Sequence, residues 1–246
     1  MSTLTHKVAL VTGGSRGIGA AVAQRLTADG AHVALTYAHS KDRADGVVAA
    51  IEAAGGRALA LQADSADPAQ IGSAVEETVR AFGRLDILVN NAGTGAFGPL
   101  DQLPLEDIDR MIDVNIRGVV AGTREALRHL ADNGRIINIG SINADRLPFP
   151  GGSVYGMTKA AVAGLTRGLA RELGPRGITV NNIQPGPTDT DSNSADGPNA
   201  GNMLRWTALG RFGTTDEIAA LASYLAGPEA AFVTGASIDI DGGFAA

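Results

Sequence analysis

Tyr155 and Lys159 stand four residues apart in "GGSVYGMTKAAVAGLTRGLARELG" (151–174). The pattern of this segment predicts a helix, on which residues four apart share a face with Cβ atoms about 5–6 Å apart. A phenol and an ammonium would therefore meet on one face. A tyrosine, with a pKa near 10, is by itself a poor proton donor or acceptor at neutral pH. An ammonium held about 4 Å away, at an effective dielectric near 20, favours the phenolate by roughly 4 kcal/mol, about three pKa units. That brings the phenol towards the range in which general acid–base catalysis works best. The pair thus predicts proton exchange with a substrate oxygen. The small neighbours Gly156, Ala160, Ala161, Ala163 and Gly164 leave room for a cofactor or another helix.

A second group of residues suits phosphate. In "VALVTGGSRGIGAAVAQRL" an N-terminal strand pattern runs into a helix pattern through Gly13, Ser15, Arg16, Gly17, Ile18 and Gly19. Glycines there allow a tight turn and let backbone N–H groups and a helix N-terminus approach a pyrophosphate. The spacing is G-x-x-x-G-x-G, not the G-x-G-x-x-G of other dinucleotide folds.

An NAD site places an acid about 20 residues beyond such a loop, on the ribose hydroxyls. Tyr37 stands at that distance from Gly17, and "LTYAHSKDR" offers no acid before Asp42. Ser40 and Lys41 are there instead, with Arg16 in the glycine loop. Cations pair with a 2′-phosphate that a carboxylate would repel, so NADP(H) is expected over NAD(H). Arg43 reads as the solvated start of a helix.

The elements that must hold these groups alternate. Strands are expected over 7–12, 32–37, 57–62, 85–90, 134–140, 178–184 and 236–240, and helices over 18–29, 42–54, 68–82, 105–130, 153–173 and 215–226. Asp67-Pro68 and Thr214 or Thr215 are helix-start signals, and Gly227-Pro228 is a stop. Buried strands alternating with helices imply an α/β fold: a doubly wound parallel sheet of about seven strands with helices on both faces. One domain over 1–246 is expected. The polar stretch 187–204, "PTDTDSNSADGPNAGNML", breaks the alternation and reads as a mobile substrate loop reaching towards Trp206.

Composition narrows the function classes. The 246 residues are 44% hydrophobic and carry a net charge of −6, with mean hydropathy +0.07. No Lys/Arg run is present, which argues against nucleic acid or an anionic membrane as partner. No apolar run approaches a membrane span, and the first residues lack a signal-peptide pattern. A cytoplasmic protein is expected. The chain has no cysteine, so disulfides and thiolate chemistry are excluded. Its four histidines are scattered, and no metal site is expected. Arg167, Arg171 and Arg176 read as a solvated face.

In this fold substrate lies at the carboxyl ends of the strands. Asn91–Gly93 follow the fourth strand, Ser141 ends the fifth, and Asn115 lies within the long helix pattern. Taken singly, Ser141 could cap a strand end, Asn115 be a satisfied buried amide, and Asp64 close an Asx turn. Together with Tyr155 and Lys159 they form a set. Phe97, Leu147, Phe149, Met203 and Trp206 suggest an apolar pocket wall.

"TGGSRGIG" (12–19), "NNAG" (90–93), Asn115, Ser141, "YGMTK" (155–159) and "QPGPTDTD" (184–191) resemble, in order and across nearly the whole chain, the short-chain dehydrogenase/reductase family. The resemblance implies hydride transfer between NADP(H) and a ketone or secondary alcohol, with a tetrad of Asn115, Ser141, Tyr155 and Lys159. It implies that Asp64 and Ser65 lie by the adenine, Asn91, Ala92 and Gly93 along the cofactor, and Pro185, Gly186 and Thr188 by the nicotinamide. It also implies a homotetramer or homodimer. The chain as a whole is similar to 3-oxoacyl-carrier-protein reductases. The stretches 140–146 and 184–198 are more similar to bacterial members described as cyclic-di-GMP-binding, so a cyclic dinucleotide is an alternative ligand on the same fold.

Overall fold

A computed structural model of the chain describes residues 3–246. Seven strands form one parallel sheet in the order β3-β2-β1-β4-β5-β6-β7. They are β1 (Val8–Val11), β2 (His32–Tyr37), β3 (Arg57–Gln62), β4 (Leu85–Asn90), β5 (Leu130–Ile139), β6 (Thr179–Pro185) and β7 (Ser237–Ile240). Parallel strands require crossovers, and the helices supply them: α1 (Gly17–Ala28), α2 (Lys41–Ala53), α3 (Pro68–Phe82), α4 (Leu105–Ile112), α5 (Gly118–Ala126), α6 (Ser153–Leu173), α7 (Ala200–Leu204) and α8 (Thr215–Ala226).

Side-chain alternation along the strands divides the core into two layers. Ala9 and Val11 of β1 pack with α1, α2 and α8, while Leu10 packs on the other face with Val75 of α3, Ala126 of α5 and Leu169 of α6. The central strands are buried on both faces, as a doubly covered parallel sheet requires. The outer strands β3 and β7 are partly exposed, because each has a neighbour on one side only.

Local chemistry sets the helix ends. The Asp67 carboxylate accepts N–H bonds from Ala69 (2.9 Å) and Gln70 (3.4 Å) ahead of Pro68. Thr214, not Thr215, caps α8 in a reciprocal box with Glu217, and Gly227 follows its last residue.

Three expectations are corrected. The helix expected over 105–130 is α4, a π turn over Asp113–Arg117, and then α5, which ends at Ala126; β5 already begins at Leu130. The π turn shows in the Gly118 N–H, which bonds the carbonyl of Asp113 rather than that of Val114. The segment 187–204 is not wholly loop, since it contains α7 and is held by isolated bridges Thr188–Gly213 and Thr190–Asn193. Arg176 is not merely solvated. Its guanidinium bonds the Asp132 carboxylate (2.9 Å) and the Leu127 and Leu130 carbonyls (3.4 and 2.5 Å), tying the end of α6 to the start of β5.

Candidate active site

The carboxyl ends of β1, β2, β4, β5 and β6 open onto one cavity of about 1100 Å³. Of the residues expected at cofactor or substrate, all line it except Lys41, Asn115 and Leu147. The glycine turn (Gly13, Ser15–Gly19), Tyr37, Ser40, Asp64 and Ser65 form one end; Asn91–Gly93 form the floor; Ser141, Tyr155, Lys159, Pro185, Gly186 and Thr188 form the other.

Gly13 and Gly17 have φ of +63° and +54°, a backbone that disfavours any side chain. The turn is fixed from beneath. Gly13 N–H donates to Thr36 Oγ1 (3.0 Å), and Asn91 Nδ2 donates to the Thr12 and Gly13 carbonyls (2.8 and 3.0 Å). The Asn91 side chain therefore clamps the glycine turn to the end of β4, while its backbone forms the floor.

Lys41 was expected at a 2′-phosphate. Its ammonium instead meets Asp45 Oδ2 (2.5 Å), one turn along α2 and off the cavity wall. The hydrogen bond to Asp45 and its charge hold the Lys41 pKa above the ordinary lysine value. Arg16 carries the positive charge at that end, and its guanidinium has no hydrogen-bond or ion-pair partner among the described residues. Arg43 was read as a solvated helix start, but it ion-pairs with Asp191, joining α2 to the 187–199 segment that roofs the cavity.

Asp64 combines two readings. Its carboxylate accepts the Ala66 N–H (3.0 Å), as an Asx turn does, and is gripped bidentately by Arg110 (2.9 and 3.0 Å). The Arg110 hydrogen bonds outweigh partial burial and hold the carboxyl below its usual range.

At the other end the four expected catalytic groups come from three elements. Asn115 sits in the π turn, 1% exposed. Its Oδ1 accepts the Thr94 N–H (2.9 Å), while Nδ2 donates to the Thr94 carbonyl (2.8 Å) and Thr158 Oγ1 (3.0 Å). Asn115 is thus a satisfied buried amide that joins the segment after β4 to α6. Thr158 in turn donates to the Tyr155 carbonyl (2.8 Å).

Ser141 Oγ accepts the Asn143 N–H (3.1 Å), which leaves its own O–H free to donate into the cavity. Lys159, buried, donates to the Ile139 carbonyl (3.0 Å) and stands 5.7 Å from the centroid of the Tyr155 ring. No hydrogen bond from another described residue engages the Tyr155 hydroxyl, whose ring lines the cavity.

The apolar wall is formed by Phe97, Phe149, Met203 and Trp206 as expected, joined by Phe244 from the C-terminus. Leu147 does not line it and packs behind, beside Gly152. No group of three or more His, Asp or Glu able to hold a metal occurs among the described residues.

A family profile described as "Enoyl-(Acyl carrier protein) reductase" matches residues 13–245, and a solved short-chain dehydrogenase/reductase from Serratia marcescens BCRC 10948 is 55% identical with TM-score 0.98, over 99% of this chain and 100% of that one. The chain belongs to the short-chain dehydrogenase/reductase family. A short-chain dehydrogenase from Burkholderia cenocepacia J2315, solved in complex with NADP, is 54% identical with TM-score 0.98 over 99% and 100% of the two chains. The cyclic-di-GMP-binding biofilm dispersal mediator protein of Escherichia coli K12 is 48% identical over 100% of both chains. As a member of this family the protein is of oxidoreductase type, and none of its described helices is long and apolar enough to cross a membrane.

Proposed function

We propose that this short-chain dehydrogenase/reductase is an NADP(H)-dependent reductase of ketones, running as an alcohol dehydrogenase in the opposite direction. The observation that supports it most is the convergence of Tyr155, Lys159 and Ser141 at one end of a cavity whose other end is a glycine turn with an unpaired arginine. The cavity fits a dinucleotide. Its volume of about 1100 Å³ exceeds the usual range of small-ligand pockets, about 300–1000 Å³. Arg16 and Ser40 supply the donors that a 2′-phosphate needs.

When bound, reduced nicotinamide supplies the hydride. The protein's own groups handle the oxygen. Ser141 O–H donates to the carbonyl oxygen and polarises it. Tyr155 transfers its phenolic proton to that oxygen as negative charge develops, and the buried Lys159 ammonium stabilises the phenolate left behind. Asn115 touches none of the reacting atoms. It is a positioning residue, holding Thr94 against α6. The segment 187–206 acts as the substrate loop of a single domain, and the Arg43–Asp191 ion pair holds it over the cofactor.

The test is NADPH oxidation across a panel of β-ketoesters, cyclic ketones and a 3-oxoacyl thioester, with NADH in parallel. Turnover with NADPH on some members is expected. NADPH binding without turnover on any of them overturns the reading.

A second reading is a cyclic-di-GMP-binding regulator, supported by the Escherichia coli relative and by the polar segment "DSNSADGPNAG". The charges weigh against it, since a cyclic dinucleotide carries two phosphates and Arg16 is the one cavity arginine not already paired with a carboxylate. Titration calorimetry with cyclic-di-GMP decides it. We also propose a homotetramer, supported by the exposed Leu105, Val120 and Met157 on α4, α5 and α6 and by Phe232 before β7.

A further inference from the structure

The chain contains ten phenylalanine, tyrosine and tryptophan residues, and five of them form one wall of the cavity beside the reacting centre. They make a continuous series of ring contacts. Tyr155 lies 5.2 Å from Phe97, Phe97 6.3 Å from Phe149, Phe149 6.0 Å from Trp206 in a stacked pair, and Trp206 5.9 Å from Phe244 edge to face. Phe97 is 56% exposed, so a large apolar face at the mouth of the cavity is left to water. Such a surface is favourably covered by an apolar ligand.

Charge is nearly absent at this end. The charged side chains lining the cavity are Arg16, Asp64, Arg110, Lys159 and Asp191, and only Lys159 stands beside the rings, its ammonium engaged by the Ile139 carbonyl. The polar groups near the rings, Ser141, Asn143, Asn199 and Asn202, are neutral. An anionic substrate would find no counter-charge here beyond the catalytic lysine.

We propose that the substrate is a neutral ketone bearing an aromatic ring, which stacks on Phe97 and on the Phe149–Trp206 pair with the carbonyl at Tyr155 and Ser141. The inference rests on the reductase reading and names its substrate class. In the reaction the carbonyl carbon takes the hydride of NADPH and the C=O π pair moves to oxygen, which takes the Tyr155 proton. The products are the secondary alcohol and NADP+. Stacked and edge-to-face aromatic contacts each add to area burial. An aryl ring should therefore be preferred over a saturated ring of the same size by roughly tenfold.

β-Tetralone and β-decalone share a bicyclic skeleton and differ in one aromatic ring. The experiment compares their kcat/KM with NADPH and follows Trp206, the one tryptophan, by fluorescence as each ketone is added to the NADP+ complex. The expected result is a tenfold preference for β-tetralone, saturable quenching by it alone, and a preference within about twofold in Phe149→Leu and in Phe97→Leu. The second variant lies at the exposed mouth, so at least one of the two keeps its fold. Equal kcat/KM for the two ketones, or an undiminished preference in both variants, overturns the proposal while the reductase reading stands. Saturable quenching by β-tetralone with neither ketone reduced upholds the aryl site and overturns the reductase reading. Neither quenching nor turnover overturns both.

Discussion

Replacing Asn115 by alanine removes a side chain that touches neither cavity nor substrate, yet the structure assigns it a large cost. Its amide satisfies both the N–H and the carbonyl of Thr94, at 2.9 and 2.8 Å, from a position 1% exposed. The third bond, to Thr158 Oγ1, matters less, because that hydroxyl keeps the Tyr155 carbonyl as its acceptor. Two backbone groups lose their partners, at about 1–3 kcal/mol each, so a loss near 4 kcal/mol is expected. In a chain of this size that lowers Tm by roughly 8–16 °C. Differential scanning calorimetry measures it, with Tyr155→Phe as the control. The Tyr155 hydroxyl has no hydrogen bond to another described residue to lose, so its removal should leave Tm within about 2 °C while reducing kcat at least a hundredfold, about 3 kcal/mol of barrier. Asn115→Asp should not rescue stability, since a carboxylate can accept from the Thr94 N–H but repels its carbonyl. A fall in Tm below about 3 °C for Asn115→Ala, or one matched by Tyr155→Phe, refutes the positioning role.

Arg16→Ala should raise the KM for NADPH roughly tenfold to a hundredfold and leave that for NADH nearly unchanged, as loss of a charge-assisted bond to a 2′-phosphate requires; steady-state kinetics with both cofactors tests this, and equal shifts would contradict it. Glu217, held at a pKa of about 2 against an ordinary 4.5 by Arg211 first and the Thr214 N–H second, contributes stability that is present above pH 4.5 and lost as the pH falls towards 2. The side chain is 41% exposed, so the contribution is at most about 1 kcal/mol, and the Tm gap between the wild type and Glu217→Gln should close as the pH falls over that window. Asp191→Asn breaks an exposed ion pair and should leave Tm within about 2 °C, while speeding NADPH release by up to about fivefold in stopped-flow fluorescence. Light scattering should return a particle about four times the 25.0 kDa chain.

Five of the strand patterns buried on both faces stood out in the sequence because a covered parallel strand has to be apolar on successive residues. The glycine turn, Ser141 and Tyr155 were legible for a related reason, since each sits at or beside an element boundary, where residue type has to match backbone geometry, and Lys159 was legible from its spacing of four from Tyr155 on one helix face. Lys41 was misplaced because the competing carboxylate, Asp45, lies one helical turn away, and its priority over a phosphate depends on side-chain direction. The role of Arg43 needed a partner 148 residues distant. Phe244 joins the pocket wall only through tertiary folding, and nothing near it in the sequence marks it. The clamp made by Asn91 was hidden for the same reason, since both its acceptors belong to the end of β1 and the turn after it.

The π turn at Asp113–Arg117 makes chain length, not composition, part of the site's specification. Met111, Asn115, Val119 and Thr123 are all buried at steps of four, whereas an α-helix turns about 40° too far with every four residues. Over three steps the drift would be about 120°, enough to carry one end of that stripe towards solvent. The wide turn absorbs one residue and gives back roughly 100° of it. Deleting a residue between Ile112 and Gly118 would therefore yield a more regular and intrinsically more favourable helix, and would unseat either the amide that holds Thr94 or the face that packs on α3. In this region a better helix would be a worse enzyme, and a single-codon deletion would do more damage than most substitutions.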